Sequence, residues 1–165
     1  MKKKTSAFGG WSICEDAFNL IRSNLEKGKT IVELGSGDVT FELCKFYNVF
    51  SIEHNPKFVG KCPSSTYIHA PLVDGWYDVE KVRFGLPPKY DFVMIDGPPQ
   101  SLGRANVVDH LDVFTRVPML VDNCSKKQNP NIAEVVAAHF DLDFEFFTSK
   151  DEQGYDHAFA LLTLK

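Results

Sequence analysis

The chain has 165 residues, enough for one compact domain with a real core and too few for a function that needs a second full domain. Its composition, 44% hydrophobic and 24% charged, excludes disordered and fibrous classes, and a net charge of −4 gives no basic field to gather nucleic acid or an anionic membrane. The short run Lys2-Lys3-Lys4 reads as a solvated tail within residues 1–11, since Gly9, Gly10, Glu15 and Asp16 interrupt any apolar signal core, and no stretch is long enough to span a bilayer.

The elements follow in chain order. Ser12 and Glu15 have the spacing of a capping box, and Ile13, Ala17, Leu20, Ile21 and Leu25 recur at helical intervals until Gly28. Thr30 to Leu34 is a short apolar strand closed by Gly35-Ser36-Gly37, with a short helix over 39–46 behind it. Val49 to Ile52 is a second strand ending at Glu53, and Asn55-Pro56 predicts a helix start. Tyr67 to Ala70 is a third, weaker strand. Asp91 to Ile95 is the fourth, ending at Asp96 and the breaker Gly97-Pro98-Pro99. A helix is expected over 104–114, with Val107, Val108, Leu111 and Phe114 on one stripe. Pro118 to Val121 is the fifth strand, and Asn129-Pro130 signals another helix start ahead of Ile132, Val135, Val136 and Phe140. Two strand-like segments, 144–148 and 158–164, close the chain around a polar loop containing Gly154.

Strands alternating with helices predict an α/β fold: a mostly parallel seven-stranded sheet, helices on both faces, an antiparallel last strand, and one domain over 1–165. In such sheets ligands bind beyond the carboxyl ends of the strands, where strand order reverses. Those tips carry Glu33 and Gly35-Ser36-Gly37-Asp38, then Glu53-His54, then Asp96-Gly97, then Asp122-Asn123. Four acids breaking four apolar runs in register mark a site. Glu53 stands twenty residues after Glu33 and ends its strand, where a carboxylate accepts both hydroxyls of a ribose, so a nucleoside-containing ligand is expected. A dinucleotide fingerprint fits less well, because Thr40 occupies its last position and the sheet consumes the length a dehydrogenase needs for a second domain.

Val32-Glu33-Leu34-Gly35-Ser36-Gly37 resembles the first motif of the class I S-adenosylmethionine-dependent methyltransferases, which have a Rossmann-like fold. Ser51-Ile52-Glu53-His54 and Tyr90 through Pro99 resemble that family's second and fourth strand-tip motifs, and the likeness runs from about residue 12 to the C-terminus. It implies S-adenosylmethionine as cofactor. Glu33, Gly35, Ser36 and Gly37 would surround its methionine part and Glu53 its ribose. His54 and Ala70-Pro71 would flank the adenine, and Asp96 would complete an acidic rim suited to a sulfonium cation.

Asp96 with Asp122-Asn123 is also similar to the metal triad of catechol-type O-methyltransferases. Adjacent strands lie about 4.8 Å apart, so such tips can converge on one cation, and an all-oxygen set suits Mg2+, Ca2+ or Mn2+. The resemblance thus implies O-methylation of a hydroxyl acceptor, aided by a divalent cation. The lysine that those enzymes carry three residues after the first aspartate is here Pro99, and Lys126 or Lys127, past the fifth strand, is the candidate substitute as base beside Asp96. A non-catalytic nucleoside-binding module, or a metal-independent methyltransferase acting on a protein or glycan, remains open.

Acceptor contacts are expected from Phe8 and Trp11, from the segment around Trp76 and Tyr77, or from the loop 100–104. A chain this short has little length for a lid, so a large acceptor or a second subunit, as in a homo-oligomer, is expected to complete the site. Neither nucleic acid nor membrane is expected as a partner. The four cysteines form no CxxC pair, which points to a reducing compartment, with the cytoplasm as default.

Overall fold

A computed structural model describes residues 6–128, 131–151 and 153–165; Lys2-Lys3-Lys4 and Asn129-Pro130 lie outside the described residues. The elements run α1 (Glu15–Asn24), β1 (Thr30–Leu34), α2 (Asp38–Cys44), β2 (Asn48–Glu53), β3 (Thr66–His69), β4 (Leu72–Val73), β5 (Trp76–Tyr77) and α3 (Val79–Gly85). They continue through β6 (Phe92–Ile95), three short 3-10 turns, β7 (Met119–Asp122), α4 (Ile132–Phe140), β8 (Leu142–Lys150) and β9 (Asp156–Leu164).

The main sheet has the order β3-β2-β1-β6-β7-β9-β8. Strands β3, β2, β1, β6 and β7 are parallel, and the last strand β9 inserts antiparallel between β7 and β8. Order reverses between β1 and β6, which places the switch point there. The pleat sorts each central strand between two cores. Ile31, Phe92, Met94, Leu120, Phe159 and Leu161 face α1 and α2. Val32, Leu34, Val93, Ile95, Met119, Val121, Ala160 and Leu162 face α4 and the connection between β6 and β7.

Local chemistry explains the ends of several helices. Asp78 caps α3, its Oδ1 accepting from the amides of Glu80 and Lys81 at 3.1 and 3.2 Å. Asn131 caps α4 in the same way, accepting from Ala133 at 3.1 Å and Glu134 at 3.4 Å.

Three expectations are corrected. Ser12 does not cap α1: Cys14 is the N-cap, with no side-chain cap bond, because Ser12 belongs to a preceding turn in which its amide donates to the Gly9 carbonyl at 3.2 Å. Asn55-Pro56 opens no helix. The Asn55 side chain accepts from the Lys57 amide at 3.0 Å, and the chain continues in turns to Ser65, having no apolar period to pack. The expected helix over 104–114 is instead 3-10 turns at 104–109 and 111–113. Val107, Val108 and Asp109 are weak helix formers, and Arg104 ties the first turn to two carbonyls of the β6 tip.

Candidate functional site

At the carboxyl ends of β1, β2 and β6 a cleft of about 1280 Å³ opens over the switch point. Ligand pockets are usually about 300–1,000 Å³, so this one has room for a cofactor and part of an acceptor.

Its back wall is built by glycines. Gly35 has φ +85°, where side chains are strained, and its amide donates to the Ile52 carbonyl at 2.8 Å, turning the chain toward β2. A Cβ on Gly35 would stand 3.2 Å from the Asp96 carbonyl oxygen and from Gly97 Cα. A Cβ on Gly97 would stand 2.8 Å from Gly35 Cα and closer still to the Tyr77 hydroxyl. The tips of β1 and β6 therefore meet backbone against backbone. Gly37 differs: its φ is extended, and a Cβ there would meet only Ser12 Oγ, at 3.8 Å. Its missing side chain leaves open space on the cleft wall.

Glu53 is 3% exposed yet lies on that wall. Its Oε2 accepts from the Ser36 amide at 3.0 Å and the Ser36 hydroxyl at 2.8 Å, and its Oε1 accepts from the Asn55 amide at 2.8 Å. Oε1 keeps an open lone pair, and the Ser36 hydroxyl can rotate away from Oε2. His54 follows on the wall, its Nδ1 3.2 Å from Glu53 Oε1 but not aligned for a hydrogen bond.

Glu33 does not line the cleft. The pleat that aims Val32 and Leu34 at one core turns Glu33 to the α2 side, where it is 1% exposed and accepts from Thr40 Oγ1 and Ser51 Oγ, each at 2.6 Å. Burial pushes this carboxyl up to about 7, against those two hydrogen bonds. Glu33 thus fixes α2 against β1 and β2. Ala70 is buried in the core and Pro71 is exposed; neither is on the cleft wall.

The floor carries the strongest electrostatics. The Asp96 side chain is 11% exposed, and Arg104 Nη2 lies 3.5 Å from its Oδ1. Arg104 Nε donates to the Pro98 carbonyl at 3.0 Å and Nη2 to the Asp96 carbonyl at 2.6 Å. Burial raises the Asp96 carboxyl well above the usual range, the Asp122 charge adds to this, and Arg104 only partly opposes it. Asp122, 1% exposed, is raised by burial too, while its hydrogen bond with Asp96 and the Arg104 charge pull it back. Each carboxyl of this interacting pair is therefore held above the ordinary carboxylate range, Asp96 the more strongly.

The divalent cation expected at Asp96, Asp122 and Asn123 gains no support at this floor, although Asp96 and Asp122 each keep a buried Oδ1 without a hydrogen-bond partner among the described residues. The Arg104 guanidinium already supplies a fixed positive charge beside Asp96. Asn123 is exposed, with φ +52°, its carbonyl accepting from Gln100 Nε2 at 3.3 Å. Among the described residues no group of three His, Cys, Asp or Glu side chains is placed to hold a metal ion. Lys126 is exposed in the turn after β7 and does not reach the cleft.

Tyr77 and Arg104 come to the cleft from segments expected to meet the acceptor, whereas Trp76 is fully buried, stacked on His110 at 4.6 Å between ring centroids. Residues 10–12 also reach the wall, as do Phe58, Gln153 and Tyr155. The mouth is held by Asp151, whose Oδ1 accepts from the amides of Gln153 and Tyr155 at 2.9 Å and whose Oδ2 lies 3.1 Å from His157 Nε2. Trp11 and Tyr155 stand at this mouth, 90% and 67% exposed. Sequence reasoning missed Phe58 and Tyr155. Their one signal is an aromatic in a polar loop with no apolar partner at strand or helix spacing.

Strand order, the antiparallel insertion of β9 and the cleft at the switch point together define a Rossmann-like fold, which several solved S-adenosylmethionine-dependent methyltransferases share. Solved structures agree. The chain superposes on the O-methyltransferase from Bacillus cereus in complex with S-adenosylhomocysteine with a TM-score of 0.59 and 14% identity, covering 90% of this chain and 79% of that one. A methyltransferase from Archaeoglobus fulgidus gives 0.57 at 12% identity, over 90% and 93% of the two chains. The O-methyltransferase TomG from Streptomyces achromogenes, with S-adenosylmethionine bound, gives 0.57 at 13%, over 90% and 78%. No protein-family model and no curated sequence matches the chain. Among the described residues no helix is long and apolar enough to cross a membrane.

Proposed function

We propose that this protein is an S-adenosylmethionine-dependent methyltransferase acting on an oxygen acceptor. The observation that carries the reading is the convergence of the Gly35–Gly37 turn and the Glu53 carboxylate on one cleft at the switch point. The residues there suit the cofactor. Gly37 leaves wall space that any Cβ would fill, and Glu53 offers a carboxylate already oriented by three donors. Glu53 would hold the ribose, the backbone of 35–37 the amino-acid portion, and His54 and Phe58 would flank the base.

When bound, the cofactor supplies a methyl group activated by a sulfonium. The protein's part is proximity and orientation, which alone can account for about 7–11 kcal/mol of a bimolecular barrier. The acceptor enters past Trp11 and Tyr155 at the mouth of the cleft. Support for oxygen as acceptor atom comes from the two O-methyltransferases among the similar structures and from the hydrogen-bond donors on the floor.

Titration calorimetry with S-adenosylmethionine and S-adenosylhomocysteine tests the reading. Binding of both, the product at least as tightly, is the expected result; no heat from either at millimolar concentration sinks it. Binding without transfer to any acceptor in a broad panel would make the chain a nucleoside-binding module instead.

A further inference from the structure

Arg104 is 5% exposed, and its guanidinium is held by the Pro98 and Asp96 carbonyls through Nε and Nη2. Its other amino group, Nη1, is buried and has no hydrogen-bond partner among the described residues. Tyr77 is in the same position. It is 1% exposed, its hydroxyl packs against Gly97, and that hydroxyl also has no partner. Both residues line the cleft and both contact the segment 96–98. A buried donor left without an acceptor is costly, and two such donors on residues that line one cleft mark the place of a ligand acceptor group.

We propose that Arg104 Nη1 and Tyr77 Oη form a carboxylate-binding subsite, so that the methyl acceptor is a carboxylic acid and the product its methyl ester. This rests on the methyltransferase reading. A planar carboxylate presents two oxygens, one for each donor, and a guanidinium is the side chain best matched to it. The step balances without proton transfer. A carboxylate oxygen lone pair forms the new O–C bond to the methyl carbon, and the S–C bond breaks with its electrons passing to sulfur. An anion and a cation become a neutral ester and a neutral thioether. An acceptor that arrives as an anion needs no base, which suits a cleft whose described walls carry no lysine.

The test is a titration of isotope-labelled protein with benzoate and with its neutral isostere benzamide, at millimolar concentration, read by amide shifts around Gly97. Tyr77→Phe removes only an unpartnered hydroxyl and leaves the packing of the ring intact; Arg104→Lys is the second variant. Benzoate is expected to bind wild-type protein and benzamide not. Tyr77→Phe should weaken benzoate about tenfold while S-adenosylhomocysteine affinity by calorimetry changes less than about twofold. Equal binding of benzamide, or unchanged benzoate binding in both variants, overturns the subsite. A tenfold loss of S-adenosylhomocysteine affinity in Tyr77→Phe with benzoate unaffected also overturns it, because the donors then serve the cofactor's own carboxylate. If S-adenosylhomocysteine fails to bind wild-type protein while benzoate still does, the methyltransferase reading and the ester product fall and the carboxylate subsite stands.

Discussion

Glu33 offers a quantitative test of how this fold is held. The carboxyl is buried on the α2 side of β1, accepts two hydroxyl hydrogen bonds and is pushed from its ordinary 4.5 to about 7. The raised value means that the folded state prefers the protonated form. Its favourable contribution is complete below pH 4.5 and is lost as the pH rises to about 7, above which no further loss occurs. At about 1.4 kcal/mol per tenfold change in proton affinity, the loss comes to about 3 kcal/mol, a large share of the stability of a small domain. Glu33→Gln keeps the shape and an acceptor oxygen for Ser51 and Thr40 but cannot ionise. Urea unfolding of both proteins at pH 4.5 and pH 8 reads the effect. Relative to wild type, the variant should gain about 3 kcal/mol between the two conditions. A difference between the proteins that is the same at both pH values would refute the assignment of the shift to burial of this group.

Three further outcomes follow from the site. Gly97→Ala drives a Cβ into the Tyr77 hydroxyl and Gly35 Cα, so it should cost about 1–3 kcal/mol in urea unfolding and abolish S-adenosylhomocysteine binding by calorimetry. Glu53→Gln should weaken that binding about 10- to 100-fold, the range for losing a hydrogen bond to a charged group, with circular dichroism unchanged. Adding Mg2+ or EDTA should move the melting temperature by less than about 1 °C, since Arg104 stands beside Asp96 as a fixed cation.

Much of this architecture is written in apolar runs. TIVEL, VFSI and FVMI are short, β-rich and bounded by turn residues, so strands β1, β2 and β6 are legible, and their tip residues with them. The β4–β5 hairpin is not legible by period, because two-residue strands have none. Its signal is the Asp74-Gly75 turn, both residues at positive φ. Glu33 shows a different limit. Placing it on β1 is easy, but which core its side chain faces depends on register, and one residue's shift along a strand exchanges the faces. The surroundings of Asp96 show a tertiary limit. An arginine eight residues after Asp96 folds back through 3-10 turns to lie beside it, and no spacing rule anticipates that return.

The most direct test of the account is a crystal structure of the protein with S-adenosylhomocysteine. The expected result is ribose hydroxyls within hydrogen-bond reach of the Glu53 carboxylate and the homocysteine lying along Gly35 to Gly37. A ligand bound away from the switch-point cleft, or in it with the ribose remote from Glu53, would contradict it.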